Sequence, residues 1–346
     1  YQAKRVDGPQ FSYTWNVMTE EVLEFEAVSG DAGMRLDVFL AGAIEDASRS
    51  FLQKAIKDER VSINEHTVKR PARALAEGDC IRVTLPPPPP SELVPENIPL
   101  DVLFEDAEIL VVNKAAGMVV HPAPGHYTGT LVHAVLFHCT DFERPTGDRA
   151  EDGDDVVRPG IVHRLDRFTS GVMVVAKSQK AFNSLSKQAR EHTFDRHYVA
   201  LVRGEFKEDI GLIDASIGRS LVHRGKMAIT SVKARDAITR FSVLERYGVA
   251  SKGKLELETG RAHQIRVHLR FAGRPVLGDP IYGVTDYAGW QIPPSLRAAL
   301  EALEGQALHA EMLGLEHPTT GERMTFTAPP PRDFQRVVEE LQKLER

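Results

Sequence analysis

Apolar positions recur along this chain at two spacings, and each predicts a different kind of element. Phe51, Leu52, Ala55 and Ile56 follow helical spacing behind Ser48, a good N-cap, which predicts a short helix. VSINEHTV then reads as a strand, a turn at Asn64 and Glu65, and a return. EGD at 77–79 makes another turn before Ile81, Val83 and Leu85 alternate as a strand. Further on, DAEILVVNKAAG predicts a buried strand over residues 109–112 that ends in a loop at Asn113. A VMVVA strand comes next, then a helix over residues 179–192, and RHYVALVRG reads as another strand. KLELET alternates until Gly260 breaks it, and AHQIRVHLRFAG puts Ile265, Leu269 and Ala272 at helical spacing, with Gly273 and Pro275 as stop signals. Phe334, Val337, Val338, Leu341 and Leu344 line one side of a closing amphipathic helix.

Two stretches interrupt these patterns. LPPPPPSELVPENIP at 85–99 contains five consecutive prolines, which favour an extended spacer and exclude a helix or central strand. ERPTGDRAEDGDDVVRPG at 143–160 is polar, acidic and rich in turn formers, as a surface loop is. The expected organisation is therefore a tail over residues 1–30, a small α+β domain over 31–85, a proline-rich linker over 86–100, and a large domain over 101–346. Strands mixed with helices and hairpins, without regular alternation, make the large domain mixed α+β with a mainly antiparallel sheet. A chain of 346 residues with 42% hydrophobic positions can bury one large core and a satellite.

Composition narrows the function classes. Cys80 and Cys139 have no paired spacing, so neither a disulfide framework nor a zinc site is expected. No apolar run approaches a membrane span and the first residues lack the apolar core of a signal peptide, so a cytoplasmic protein is expected. The net charge of −6 hides an asymmetry: residues 186–275 hold 18 Lys and Arg against 10 Asp and Glu. A basic surface inside an acidic protein is one form that a nucleic-acid footprint takes.

The candidate chemistry centres on HRLDRFTSG at 163–171. A carboxylate flanked by Arg164 and Arg167 tends to stay ionised, because opposite charge favours the charged form. It can serve as nucleophile or base, and these residues alone leave open a turn aspartate beside solvated arginines.

Four motifs stand together: VNKAAGMVVHP ending at Pro122, HRLDRFTSG, RHYVALVRG at 196–204, and LETGRAHQIRVHLRFAGRPVLGDPIYG at 257–283. In type, order and approximate spacing they resemble the RluA-type pseudouridine synthases, particularly members that modify large-subunit ribosomal RNA. RLDVFLAGAIEDASRSFLQKAIKDERVSIN further resembles a small RNA-binding module first recognised in a ribosomal protein, and here Arg49 and Lys54 are the expected RNA contacts. The resemblance implies conversion of uridine to its C-glycoside isomer, with the target base flipped out of its stack. An isomerisation needs no cofactor, and a carboxylate must work at the sugar, as in other cleavages of a glycosidic bond.

Carried onto this sequence, the resemblance gives Asp166 the role at the sugar, by attack on the anomeric carbon or by removal of the 2′ proton. It makes Tyr198 the aromatic group against the base and Arg266 the cation paired with Asp166. Arg164 becomes the residue entering the helix where the nucleotide leaves. RSLVHRGKMAI at 219–229 resembles a basic segment beside the active site, with Arg219, Arg224 and Lys226 as phosphate contacts. Three departures bear on the subfamily: Ala115 stands where proline is usual, Ala262 where threonine is common, and the acidic loop before Arg158 is long. No metal is expected, because His263 and His268 sit five residues apart on a helix and diverge, as do His133 and His138. RNA is the expected partner and a monomer the expected state; a non-catalytic assembly factor and a transfer-RNA enzyme are the alternatives.

Overall fold

The computed structural model describes residues 21–44, 49–85, 93–122, 127–146, 158–220 and 226–345. The chain divides into two compact units, Tyr1–Ser91 and Glu92–Arg346.

In the first unit, β1 (Glu21–Glu26) leads into α1 (Leu36–Ala43) and α2 (Arg49–Lys57), followed by β2 (Val61–Ile63), β3 (His66–Thr67) and β4 (Cys80–Leu85). The strands form one antiparallel sheet in the order β1-β4-β2-β3. Leu52, Ala55 and Ile56 are buried on α2, and Leu52 and Ile56 pack with Leu36, Leu40, Val61, Ile81 and Val83. The proposed cap Ser48 lies outside the described residues. Asn64 and Glu65 both take positive φ, which suits the tight β2–β3 connection. Strand β1 is a correction, since it falls within the span expected to be a tail: Leu23 and Phe25 alternate with glutamates and pack on the core, a signal that a six-residue strand gives only weakly.

The second unit continues with β5 (Val102–Glu105), β6 (Ile109–Lys114), α3 (Leu131–His138), β7 (Ser170–Ala176), α4 (Gln179–Arg190), β8 (Asp195–Arg203), β9 (Ile210–Asp214), β10 (Ile217–Arg219), β11 (Met227–Ile229), β12 (Ile238–Arg246), β13 (Ala250–Leu257), α5 (Gln264–Phe271), α6 (Pro294–Glu301), β14 (Leu308–Glu316), β15 (Arg323–Thr327) and α7 (Arg332–Gln342). Its large sheet runs β5-β6-β7-β14-β8-β13-β12-β9, with β15 also on β14. All of these pairings are antiparallel except β7 with β14. The fold is thus α+β with a mainly antiparallel sheet. Strand β7 is buried along its whole length, as its unbroken apolar run requires. Phe334, Val337 and Leu341 bury one face of α7 against the core.

Several boundaries differ from expectation. Strand β6 continues through Asn113 and Lys114, because β7 supplies partners to that point and Lys114 finds carbonyl acceptors for its ammonium. Helix α4 stops at Arg190, and His192 takes a left-handed φ of 58°. Ala272 caps α5 and is exposed rather than packed. Beyond the prolines, Glu96 is fixed to the large unit: its N–H donates to His133 O (3.0 Å) and its carboxylate accepts from Gly129 N–H (3.1 Å). Among the described residues, no helix is long and apolar enough to cross a membrane.

Candidate active site

The segment 163–169 enters β7 and is fastened from several sides. Lys114 Nζ donates to Ala115 O (2.8 Å), Met118 O (2.9 Å) and Arg167 O (3.1 Å), so one buried ammonium ties the end of β6 to the residue after Asp166. Burial draws Lys114 down to about 7, while the charges of Asp166 and Glu304 work to keep its proton. Arg167 Nε donates to Gly117 O (3.2 Å), and Gln306 Nε2 donates to Thr169 Oγ1 (3.0 Å). Ser170 Oγ meets His309 Nδ1 at 2.8 Å on β14. Gly171, at φ +119°, pairs with Ala310, and a β-carbon there would collide with the Ala310 backbone. That close approach explains the glycine ending the motif.

Held in this way, Asp166 is met from across the fold by helix α5. Arg266 NH1 donates to Asp166 Oδ2 at 2.8 Å, and the rest of the guanidinium forks onto Asp279, with Nε to Oδ2 at 2.7 Å and NH2 to Oδ1 at 2.8 Å. Asp279 also accepts the N–H groups of Ile281 (2.9 Å) and Tyr282 (3.0 Å). Burial alone would push Asp279 up, but the Arg266 fork and these amides outweigh it and hold the carboxyl below its ordinary range. Burial likewise opposes the Arg266 charge, and its two carboxylates outweigh that and raise the guanidinium. The side chains of Arg266 and Asp279 are 4% and 0% exposed, whereas that of Asp166 is 19% exposed. One carboxylate is therefore a sealed anchor, and the other stays partly open to solvent.

Tyr198 stands on β8, paired with Ala310 and Leu255 on the neighbouring strands, and is buried. Burial raises its hydroxyl, as does the negative charge of Asp166, so the ring is a neutral phenol. His263 precedes α5 in a left-handed conformation, φ 57°; its Nε2 is 4.0 Å from Asp166 Oδ1 and its Nδ1 is 2.8 Å from Tyr282 Oη. Tyr282 Oη also accepts Met227 N–H (2.8 Å), which links the β10–β11 hairpin to the site, and the Arg266 guanidinium lies 5.0 Å from the Tyr282 ring centre. His163 is structural: its Nε2 accepts Val174 N–H (3.1 Å), and burial with nearby Arg196 draws it to about 3.

The other residues singled out in the sequence are distributed as follows. Arg164 is exposed two residues before Asp166. Arg219 is exposed at the end of β10 and Lys226 is half-buried just before β11, while Arg224 lies outside the described residues. Lys54 is exposed in the last turn of α2, and Arg49 opens that helix. Of the histidines weighed as metal ligands, His268 bonds Thr239 Oγ1 and Ala215 O, both at 2.9 Å, and His138 bonds Glu105 Oε2 at 2.7 Å.

Sequence reasoning assigned no role to Lys114, Asp279 or Tyr282, and weighed His263 only as a ligand. The available signals were faint: a lysine ending an apolar strand, and the turn-forming GDP, whose aspartate accepts amides two and three residues later.

Comparison with known proteins agrees on one chemistry. The family model described as RNA pseudouridylate synthase matches residues 108–271. The uncharacterized RNA pseudouridine synthase YlyB of Bacillus subtilis is 43% identical over 309 residues, 89% of this chain and 94% of the relative. Ribosomal large subunit pseudouridine synthase D of Zymomonas mobilis is 42% identical over 305 residues, 88% of this chain and 92% of the relative. The solved structure of human RNA Pseudouridylate Synthase Domain Containing 1 aligns with a TM-score of 0.50 at 26% identity, over 68% of this chain and 85% of that one. Identity at this level over nearly the full length of both partners leaves one conclusion: the chain belongs to the RluA-type RNA pseudouridine synthases, isomerases that convert uridine to pseudouridine in RNA.

Proposed function

We propose that the substrate is large-subunit ribosomal RNA and that Asp166 is the group that works on the sugar of the flipped uridine. The observation carrying this is the asymmetry of the carboxylate pair. Asp279 is saturated by Arg266 and two amides, while among the described residues the Asp166 side chain takes one hydrogen bond, from Arg266 at Oδ2, and its Oδ1 takes none. A group that must act on a substrate needs both a fixed orientation and an unspent atom.

In this reading the target uridine is extruded, Arg164 fills the space it leaves, and its ring lies against Tyr198. Asp166 then acts at the ribose, by attack on the anomeric carbon or by removal of the 2′ proton, and the bond to nitrogen breaks. The base turns and a carbon bonds to the sugar in place of the nitrogen, displacing the Asp166 carboxylate from the anomeric carbon on the first route, while on the second Asp166 returns its proton to the 2′ carbon. The proton lost from the base carbon replaces the sugar on the freed nitrogen, so atoms and charge balance. Arg266 positions Asp166 and keeps a counter-charge beside it throughout.

Arg219, Arg224 and Lys226 of the segment 219–229 hold phosphates near the site, while Arg49 and Lys54 of the first unit grip structured RNA. The domain over residues 31–85 is an RNA-binding module and the span 86–100 its tether to the catalytic domain. The ribosomal assignment draws support from relatives such as the Zymomonas mobilis protein, whose name specifies the large ribosomal subunit.

The test is a nucleotide-resolution map of pseudouridine in ribosomal and transfer RNA after incubation with the wild type and with Asp166→Asn. Sites appearing in large-subunit RNA with the wild type alone are the expected result. Sites confined to transfer RNA would overturn the substrate, and sites that persist with Asp166→Asn would overturn the role of the aspartate.

A further inference from the structure

The gap between His263 and Asp166 is too wide for a hydrogen bond and wide enough for one shared atom. His263 Nε2 and Asp166 Oδ1 are 4.0 Å apart, and their side chains are 25% and 19% exposed, so both open to solvent. An oxygen placed between them can lie at about 2.8 Å from each, an ordinary hydrogen-bond length. Asp166 Oδ1 has no hydrogen-bond partner among the described residues, because the Arg266 bond falls on Oδ2.

Which proton His263 carries follows from its other nitrogen. Tyr282 Oη is buried and has two partners among the described residues, Met227 N–H and His263 Nδ1. The amide can only donate, so it takes one lone pair of the hydroxyl. The hydroxyl proton has one acceptor within reach, Nδ1. A neutral imidazole that accepts at Nδ1 carries its hydrogen at Nε2. Burial, helped by the charges of Arg266 and Arg164 against that of Asp166, draws His263 below its ordinary value and favours this neutral ring. The gap is therefore bounded by an acceptor on one side and a donor on the other.

Only a group that both donates and accepts can satisfy both sides. Phosphate oxygens and the uracil carbonyls accept without donating, so they cannot bridge to a carboxylate. A hydroxyl can, and the ribose hydroxyl adjacent to the anomeric carbon is the 2′-OH. We infer that His263, oriented by Tyr282, is a substrate-positioning residue whose Nε2–H binds the 2′-oxygen of the target ribose while that hydroxyl donates to Asp166 Oδ1. The inference rests on Asp166 acting at the sugar. Through this contact the site reads ribose at the target nucleotide, a feature separate from recognition of the base.

The experiment is a cycle on two RNAs: a transcript of the large-subunit segment carrying a mapped Asp166-dependent site, and the same segment with 2′-deoxyuridine at that one position. Affinity is measured for the wild type, His263→Asn and Tyr282→Phe. Asparagine tolerates the left-handed backbone at 263, so the fold is retained, and thermal unfolding of each variant checks this. The wild type should lose on the order of tenfold in affinity on the deoxy substrate, as expected for a hydrogen bond to a charged group. His263→Asn should lose most of that discrimination, binding the two RNAs nearly equally. Tyr282→Phe should weaken the discrimination too, because Nδ1 can then keep the proton. Full discrimination by a folded His263→Asn would overturn the inference. Absence of any Asp166-dependent site in the wild-type map would instead overturn the reading on which it rests, so the two failures are distinguishable.

Discussion

Ahead of β7 stands Asp166 with Arg266 and Asp279; just past its other end stands Lys177 with Glu105, His138 and Cys139. Both clusters hold a cation almost fully withdrawn from water, with side chains 4% and 6% exposed. At the far end both carboxylate oxygens of Glu105 have partners. Lys177 Nζ donates to Glu105 Oε1 and to Asp106 O, both at 2.8 Å, and His138 Nε2 lies 2.7 Å from Glu105 Oε2. The Cys139 thiol completes the set 3.8 Å from Glu105 Oε1, and burial, with the nearby Glu105 charge, lifts it to about 11, so it stays a thiol.

Glu105, His138 and Cys139 are residue types that bind metals, with ligand atoms within 4.8 Å of one another, yet an ammonium already neutralises the carboxylate. At the near end one oxygen of Asp166 has no hydrogen-bond partner among the described residues. Charge and burial do not separate the two clusters; that uncommitted atom does, and it is the ground for proposing Asp166 as the working group.

Arg266→Met should break the near cluster most severely, since it leaves Asp279 fully buried without a cation. An uncompensated buried charge costs about 3–5 kcal/mol, read by urea denaturation, and conversion of target RNA should disappear with it. Undiminished stability would mean that Asp279 is not anchored by this pair. Lys177→Met should lower stability by roughly 1–3 kcal/mol, less because Glu105 keeps His138 and is partly solvated. Its single-turnover rate on target RNA should stay at the wild-type value, and a tenfold loss would erase the distinction between the two ends.

A smaller effect concerns pH. Burial pushes the Glu105 carboxyl up, but hydrogen bonds from Lys177 and His138 outweigh it and hold it below its ordinary value of 4.5. A carboxyl lowered in the folded state contributes stability that is complete above its unfolded value and fades as pH falls through the lowered one. Glu105→Gln should therefore flatten the fall in stability below pH 4.5 while leaving the curve near neutrality parallel to that of the wild type. An unchanged acid limb would remove Glu105 from the account. The smallest change is expected for Lys226→Ala on the hairpin, where the slope of log affinity against log salt should drop by about one with no change in the site modified. A shift in the modified position would make Lys226 a reader of sequence rather than a phosphate contact.

Much of this was legible in one dimension. Local periodicity sufficed for β7, β8, α2 and α7, because each buries one face or one run against a core and its apolar spacing records that. The motif around Asp166 and the pairing of that residue with Arg266 could also be read from the chain, through the resemblance. Elements whose limits depend on neighbours were misjudged: β1 exists because β4 pairs with it, and β6 extends through Lys114 because β7 and three carbonyls receive it.

The sequence by itself determined which residue types could act, and which of the strongly periodic segments would be strands and helices. It placed two arginines beside Asp166, at 164 and 167, and the family resemblance named the distant Arg266 as the cation paired with it. Tertiary structure decided how that pairing is made. Arg266 arrives from a helix a hundred residues later and divides itself between two carboxylates, and Tyr282 fixes the ring of His263 four ångströms from the open oxygen. Hydrogen bonds of this kind depend on where side chains end rather than where they begin, and only the packed sheet and the helix lying against it set those endpoints.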